Sequence, residues 1–287
     1  LNHSQLSIKM VVFPNCKINI GLNILDKRTD GFHNLETVFI PVPIKDALEI
    51  IRTKETATGV VFSQSGVAVD GDSSSNLCVK AYHLLQKDFP QLPSVQMHLH
   101  KAIPMGAGLG GGSADGAFTI SLLNNKFNLN LSTDQLINYS LQLGSDCPFF
   151  ILNKPCFATG RGENLQPLNI SLAGYQLVLI NPGIHVNTGW AFGQLKNEPV
   201  ENRQSKNLLQ LIQQPIQNWR NTITNDFEKA VFAAHPVLQQ IKNELYNNGA
   251  VYAAMSGSGS TLFGLFEKNN TATLQLPENY FTKHILL

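Results

Sequence analysis

The stretch Pro104-Met105-Gly106-Ala107-Gly108-Leu109-Gly110-Gly111-Gly112-Ser113-Ala114-Asp115-Gly116-Ala117 decides how this chain is read. Six of those fourteen residues are glycine. Glycine has no Cβ, so such a segment takes φ > 0 and lets a ligand approach the backbone closely. Before it, Val95-Gln96-Met97-His98-Leu99-His100 alternates apolar and polar residues, the pattern of a half-buried strand. After it, Ala114, Ala117, Phe118, Ser121 and Leu122 follow the i, i+3, i+4, i+7, i+8 spacing of one helix face. Ser113 stands at the expected N-cap. A glycine-rich loop ending in a helix N-terminus offers free N–H groups and the positive end of the helix dipole. That is an anion site, and phosphate is its commonest occupant.

Two standard nucleotide loops do not fit. Gly106-x-Gly108-x-x-Gly111 matches the bare dinucleotide fingerprint, which needs an acid about 20 positions on to bind the ribose. Asp134 is the nearest match, but it falls in the capping-box pattern of the next helix, and the second strand that should carry the acid is missing. A Walker A loop needs Gly-Lys-Ser/Thr, whereas Gly112 runs directly into Ser113. The bland alternative, a flexible linker, is disfavoured by the strand and capped helix on either side.

At 287 residues the chain suits two domains, and its 43% hydrophobic content supplies a sizeable core. With 21 basic and 20 acidic side chains the formal charge is +1, which argues against a nucleic-acid binder and its basic stripe. No apolar run approaches the roughly 18–20 residues of a membrane span. Leu1–Lys9 lacks an apolar core segment, so no signal peptide is expected, and these residues are given no role. Cys16, Cys78, Cys147 and Cys156 show no C-x-x-C spacing. Structural zinc and a disulfide framework are therefore not expected, and a reducing cytoplasm is.

Along the chain, Met10–Leu25 reads as a strand interrupted by Pro14 and Lys17, and Thr29-Asp30-Gly31 signals a turn. Thr37–Ile51 and Gly59–Val69 read as further strands, and Leu77–Asp88 as a helix. Ser132-Thr133-Asp134-Gln135 is a capping-box pattern, opening a helix that Gly144 closes. Tyr175–Ile180 reads as a strand, and the polar stretch from Asn197 to Asn207 as a loop or lid. Helices follow near Asn207–Gln213, Phe227–His235 and Val237–Asn247, then a strand, a Gly-rich turn and a strand over Val251–Phe266. Strands and helices mix without strict alternation, which favours α+β.

Three other places draw notice. Asp146 follows a helix stop in Leu143-Gly144-Ser145-Asp146-Cys147-Pro148, where an ordinary turn or cap aspartate is also expected. Met255-Ser256-Gly257-Ser258-Gly259-Ser260-Thr261 reads by itself as a hairpin turn of small residues. Lys17 is odd in an otherwise apolar strand, and a surface lysine explains it equally well.

Together these segments resemble the GHMP kinase superfamily, named for galactose, homoserine, mevalonate and phosphomevalonate kinases. That family carries a lysine-bearing N-terminal strand, a central Pro-x-x-x-Gly-Leu-Gly-(Gly/Ser)-Ser loop and a C-terminal Gly-rich loop, in this order. The residues concerned are Lys17-Ile18-Asn19, Arg28-Thr29-Asp30-Gly31-Phe32-His33, Gly110–Gly112, Leu143–Pro148 and Gly160-Arg161-Gly162-Glu163. The matches run from Phe13 to Gly264. Asp30–His33 and Leu143–Asp146 are similar to the branch that serves the non-mevalonate isoprenoid pathway. Its acceptor is a cytidyl diphosphate of methylerythritol, phosphorylated on the 2-hydroxyl.

The resemblance implies an α+β fold of two domains. Residues 1–165 would be similar to ribosomal protein S5 domain 2, residues 166–287 would be ferredoxin-like, and the active site would lie in the cleft between them. It implies ATP along Pro104–Ala114, with Asn76, Leu77 and Lys101 near the adenosine. Asp146 would be the general base and Lys17 its partner. Phe32, His33 and Phe192 would enclose cytosine, and Asn19 and Thr188 would lie near the end that receives the phosphate. Phe192 reads equally as a core residue. Mg²⁺ is expected with ATP; Ser113 is a candidate ligand, and no carboxylate is placed. A monomer or homodimer with a small-molecule substrate is expected, without membrane or nucleic-acid partners. Another GHMP kinase (for homoserine, mevalonate or a sugar) and a non-catalytic nucleotide- or RNA-binding module remain open.

Two positions depart from the family pattern. Phe32 stands where tyrosine is common, so stacking survives without a hydroxyl. Asp115-Gly116 replaces the usual Ser/Asn-Ala, and Asp115 is expected to point away from a bound phosphate, which it would repel.

Overall fold

A computed structural model describes residues 10–53, 59–67, 72–195, 207–270 and 274–287. The chain divides into two compact units that are not continuous in sequence. The first takes Leu1–Cys16, Pro43–Met105 and Gly110–Asn153; the second takes Lys17–Val42, Gly106–Leu109 and Lys154–Leu287.

The first unit is built on a sheet ordered β1 (Met10–Val12), β4 (Ala47–Arg52), β6 (Val95–Lys101), β5 (Val60–Gly66). β5 and β6 run parallel, joined through α1 (Leu77–Asp88), while the other pairs are antiparallel. The alternation read in β6 holds: Val95, Met97 and Leu99 are fully buried. They pack with Leu48 and Ile50 of β4, Tyr82 and Leu85 of α1, and Ile120 and Leu123 of α2 (Gly111–Phe127). α3 (Thr133–Leu143) starts with the capping box of Ser132 and Gln135 and stops at Gly144, as the sequence predicts. α4 (Cys147–Leu152) follows, with Asp146 as its N-cap residue.

The second unit holds most of β2 (Asn15–Lys27) and β3 (His33–Lys45), which form a sheet with β7 (Cys156–Thr159) and β8 (Asn164–Pro167) in the order β2-β3-β7-β8. A separate antiparallel sheet has the order β10 (Tyr252–Met255), β11 (Leu262–Glu267), β9 (Tyr175–Asn181), β12 (Phe281–Leu286). The core joins Val178 and Ile180 of β9 to Phe227 and Val231 of α7 (Phe227–Ala234) and Leu238, Ile241 and Leu245 of α8 (Pro236–Asn247). The short helices α5 (Thr188–Gln194) and α6 (Leu208–Leu211) complete this unit's named helices.

Several readings change. The break in the first apolar stretch lies at Phe13-Pro14 alone; Lys17 sits inside continuous β2. The N-cap of α2 is Gly110, at φ 70°, and not Ser113, because the left-handed turn at Gly110 starts the helix three residues earlier. Strands β7, β8 and β12 and helix α5 had no counterpart in the sequence reading. The loop or lid expected from Asn197 lies outside the described residues up to Asn207, which caps α6. Among the described residues no helix is long and apolar enough to cross a membrane.

Candidate active site

The glycine-rich loop keeps its shape through its glycines. Gly106, Gly108 and Gly110 have φ of 62°, 75° and 70°. At Gly108 a Cβ would fall 2.0 Å from the Ser256 carbonyl oxygen, so only glycine permits this approach of the loop to the β10–β11 hairpin. The loop is also tied by backbone bonds. The Lys17 N–H donates to Leu109 O at 2.9 Å, and the Thr261 N–H donates to Ala107 O at 3.2 Å. No side chain caps α2. The N-terminus of a helix of this length, 17 residues, is a place that favours an anion.

Lys17 is not a surface residue: it is 3% exposed. Its Nζ donates to Asn19 Oδ1 at 2.6 Å and to the Gly108 carbonyl at 3.2 Å, and it lies 5.0 Å from the centre of the Phe39 ring. Asn19 is buried too, and its Nδ2 donates to Thr37 Oγ1 at 2.9 Å. A buried ammonium needs such partners to offset its lost hydration. Here they lie on β2 and on the loop itself, so the charge is fixed beside the loop.

In the first unit, Asn76 caps α1 by accepting the Cys78 N–H at 2.8 Å. Leu77 meets α2 at Gly116, where a Cβ would come within 3.0 Å of the Leu77 Cβ. The glycine at 116 therefore lets the start of α1 press against the first turns of α2. Lys101 is 1% exposed, and its ammonium reaches the carboxylates of Asp46 and Asp115, the latter at 2.7 Å. Asp46 Oδ1 also accepts the N–H groups of Ala102 and Ile103. Asp115 is turned inward, away from the loop surface, as expected. The Lys101 ammonium is thus committed to two carboxylates, and its carbonyl accepts the Val67 N–H at 2.9 Å. Burial pushes the Asp115 carboxyl up to about 7; the Lys101 ammonium offsets only part of this, and the Asp46 carboxylate adds to it.

Asp146 makes no side-chain cap bond to α4. Its neighbour Cys147 is fully buried, and its thiol, pushed up to about 12 mainly by burial, hydrogen-bonds Ser113 in the first turn of α2. Of the loop residues, Met105 is 42% exposed while Ala107, Leu109 and Ala114 are buried.

In the second unit a turn presents Phe32 and His33. Arg28 pairs with Asp30 at 2.9 Å, and the Arg28 N–H donates to Phe32 O at 2.8 Å. The Arg28 hydrogen bond holds the Asp30 carboxyl below the usual carboxylate range. His33 stacks on Phe192, with ring centroids 4.8 Å apart and planes 14° apart. Phe192 also meets Phe227 edge-on at 4.9 Å, so it is both a core residue and a stacking platform. Phe32 is 52% exposed, with the Arg161 guanidinium 4.7 Å from its ring. Thr188 opens α5, and its hydroxyl lies 2.9 Å from that of Ser258.

Residues 76–154 match the family described as GHMP kinases N terminal domain, and residues 205–280 match GHMP kinases C terminal. A Bacteroides fragilis protein named 4-diphosphocytidyl-2-C-methyl-D-erythritol kinase is 52% identical over 264 residues, covering 92% of this chain and 94% of that protein. The chain belongs to the GHMP kinase family. A protein of the same name from Cytophaga hutchinsonii is 46% identical over 93% of this GHMP kinase and 98% of the relative. Among solved structures, a crystal structure of 4-(cytidine 5'-diphospho)-2C-methyl-D-erythritol kinase superposes with a TM-score of 0.75 at 29% identity. It covers 89% of this chain and 90% of that one. A crystal structure of mevalonate kinase superposes with a TM-score of 0.72 at 11% identity, over 91% and 92% of the two chains, and shares the fold alone.

Four residues that the sequence reading gave no role of their own shape the surroundings of these side chains in the two units. Asp46 anchors Lys101, and Arg161 covers Phe32. Ser256 ties the hairpin to the loop through Gly108 O, and Asn225 braces the hairpin, its Nδ2 donating to Met255 O and Gly257 O, both at 2.8 Å. The partners lie far apart in sequence, so no local pattern announces them. Among the described residues no group of three His, Cys, Asp or Glu side chains gathers as a metal cage. Asp115, the acid nearest the loop in sequence, is already committed to Lys101. A Mg²⁺ carried on nucleotide phosphates takes most of its ligands from them and from water, and needs few from a protein.

Proposed function

We propose that this GHMP kinase transfers the γ-phosphoryl group of ATP to the 2-hydroxyl of 4-diphosphocytidyl-2-C-methyl-D-erythritol. The observation that carries the reading is Lys17, buried and hydrogen-bonded to the Gly108 carbonyl of the donor loop. The His33–Phe192 stack, in the same unit, offers a flat aromatic surface of the kind a nucleobase uses.

Phosphoryl transfer needs the donor held, its charge balanced, and the acceptor hydroxyl aligned and relieved of its proton. The N–H groups of the loop and of the start of α2 hold the phosphates. An anion at a helix end gains about 0.3–1 kcal/mol, up to about 2 when partly buried, so several N–H bonds must act together. Lys17 supplies a fixed positive charge for the transferring group and orients the hydroxyl. Asp146 accepts the hydroxyl proton. Mg²⁺, when bound on the nucleotide, shares the charge neutralisation, and the Ser113 hydroxyl is the protein group we assign to it.

Phe32, His33 and Phe192 take the cytosine, and Asn19 and Thr188 line the acceptor end. Asn76, Leu77 and the Lys101 backbone flank the adenosine. We keep residues 1–165 and 166–287 as the functional division of the chain. We place the enzyme in the cytoplasm, as a monomer or homodimer acting on small molecules alone. The buried cysteine side chains Cys16, Cys78, Cys147 and Cys156 suit a reducing compartment.

The test is ATP consumption by the purified chain with the cytidyl substrate, mevalonate, homoserine and galactose in parallel. The reading expects turnover with the cytidyl substrate only. Turnover with one of the other three alone would overturn it.

A further inference from the structure

The hairpin between β10 and β11 does more than close a turn. Ser256, at its start, is fully buried. Its hydroxyl donates to the Gly108 carbonyl at 2.8 Å and lies 3.4 Å from Asn19 Oδ1, and it accepts the Asn19 N–H at 3.2 Å. The Lys17 ammonium bonds the same two oxygens, Asn19 Oδ1 and Gly108 O. Ser256 and Lys17 therefore both donate to Gly108 O, and both lie against Asn19, Lys17 through its Oδ1 and Ser256 through its N–H.

The hairpin is itself referenced to β2, the strand of Lys17. Asn225 holds the carbonyls on both sides of Ser256, those of Met255 and Gly257, while its Oδ1 accepts the Phe227 N–H at 3.0 Å. The flanking Thr224 and Asp226 are bonded to β2: Thr224 O accepts the Leu22 N–H, and Asp226 Oδ2 accepts the Ile24 N–H. Gly257, at φ 57°, leaves room for this packing; a Cβ there would come within 3.3 Å of the Gly108 Cα. The serine hydroxyl cannot drift without loosening Asn19 or the loop carbonyl.

We propose that Ser256 is a positioning residue of the phosphoryl-transfer step: its hydroxyl fixes Gly108 O and Asn19, and through them the Lys17 ammonium. The inference rests on the role assigned to Lys17 above. A hydroxyl that orders the acceptors of a charged donor acts on the transition state more than on resting nucleotide affinity, so its loss falls on kcat.

The experiment compares Ser256→Ala and Ser256→Cys with the parent chain, alone and combined with Lys17→Ala, in kcat, KM for ATP and Tm. Ser256→Ala is expected to lower kcat by about 10–100-fold, the range for a hydrogen bond serving a charged group, with the ATP KM changing by less than about 3-fold. Ser256→Cys, which keeps a weak donor, falls between the two. In the Lys17→Ala background Ser256→Ala adds less than about 2-fold, because both act through one ammonium. A lowered Tm with unchanged kcat would overturn the inference, leaving Ser256 a structural residue. So would full additivity with an impaired Lys17→Ala. If Lys17→Ala keeps its full kcat, the role of Lys17 fails first and this inference with it.

Discussion

Lys101 and Asp115 form a buried ion pair 2.7 Å long under the start of α2, with side-chain exposures of 1% and 3%. A Cβ at Gly111 would lie 3.4 Å from the Lys101 ammonium. The pair is not electrically balanced, because Asp46 claims the same ammonium. The groups facing Asp115 are Lys101 of β6, Asp46 before β4 and the Cys78 thiol of α1. Its second oxygen, Oδ1, is buried with no hydrogen-bond partner among the described residues.

The raised Asp115 carboxyl makes stability depend on pH. Between the ordinary carboxylate value of about 4 and the folded value of about 7, the folded state holds a proton that the unfolded state has lost. Stability from this group therefore falls as pH rises through that window and is fully lost above it. Asp115→Asn removes the titration. Its Tm, relative to the parent, is expected to climb steadily from pH 5 to pH 8 in thermal melts. A difference that stays constant, or that shrinks with pH, would refute the assignment.

Removing the cation instead leaves two buried carboxylates facing each other. Lys101→Met is expected to cost about 3–5 kcal/mol of unfolding free energy at pH 8, the range for breaking a buried ion pair. Urea unfolding measures it. The loss should shrink at pH 5, where Asp115 holds its proton.

Asp146 tests the proton-transfer step. Asp146→Ala is expected to lower turnover by about 10²–10⁴-fold, the usual contribution of a general base. The phosphate-loop N–H groups are untouched, so ATP affinity should hold. Steady-state kinetics with nucleotide binding by calorimetry separates the two; near-parental turnover would remove Asp146 from the chemistry.

The aromatic pair tests acceptor recognition. Phe192→Ala is expected to weaken cytidyl-substrate binding by about 1–3 kcal/mol, the worth of one stacked base. His33→Ala should raise the KM of that substrate more than the KM of ATP. Equal effects on both KM values would mean that the pair supports the fold and does not read the base.

The shape of the glycine-rich loop was legible because its signal is local: glycines that need left-handed backbone, between a strand and a helix. The burial of Lys17 was not. Cys16, Ile18 and Ile20 on one face of β2 and Lys17 and Asn19 on the other are all buried, so a two-residue period says nothing about exposure. Ser256 meets Asn19 across 237 positions and Lys101 meets Asp46 across 55, distances at which sequence spacing carries no information. Helix α5 was hidden by Gly189 and Gly193, poor helix formers, although Asn187 was a usable cap signal that accepts the Trp190 N–H. Ser113 misled because a glycine in left-handed conformation can start a helix with no capping side chain.

The central claim is the identity of the acceptor atom. Phosphorus NMR of the purified chain incubated with ATP, Mg²⁺ and 4-diphosphocytidyl-2-C-methyl-D-erythritol reads it directly. The account predicts a new phosphomonoester signal coupled to the methylerythritol carbon skeleton at its 2-position, ADP in equal amount, and an intact cytidyl diphosphate. ADP without that signal, or the phosphate on any other atom, would contradict it.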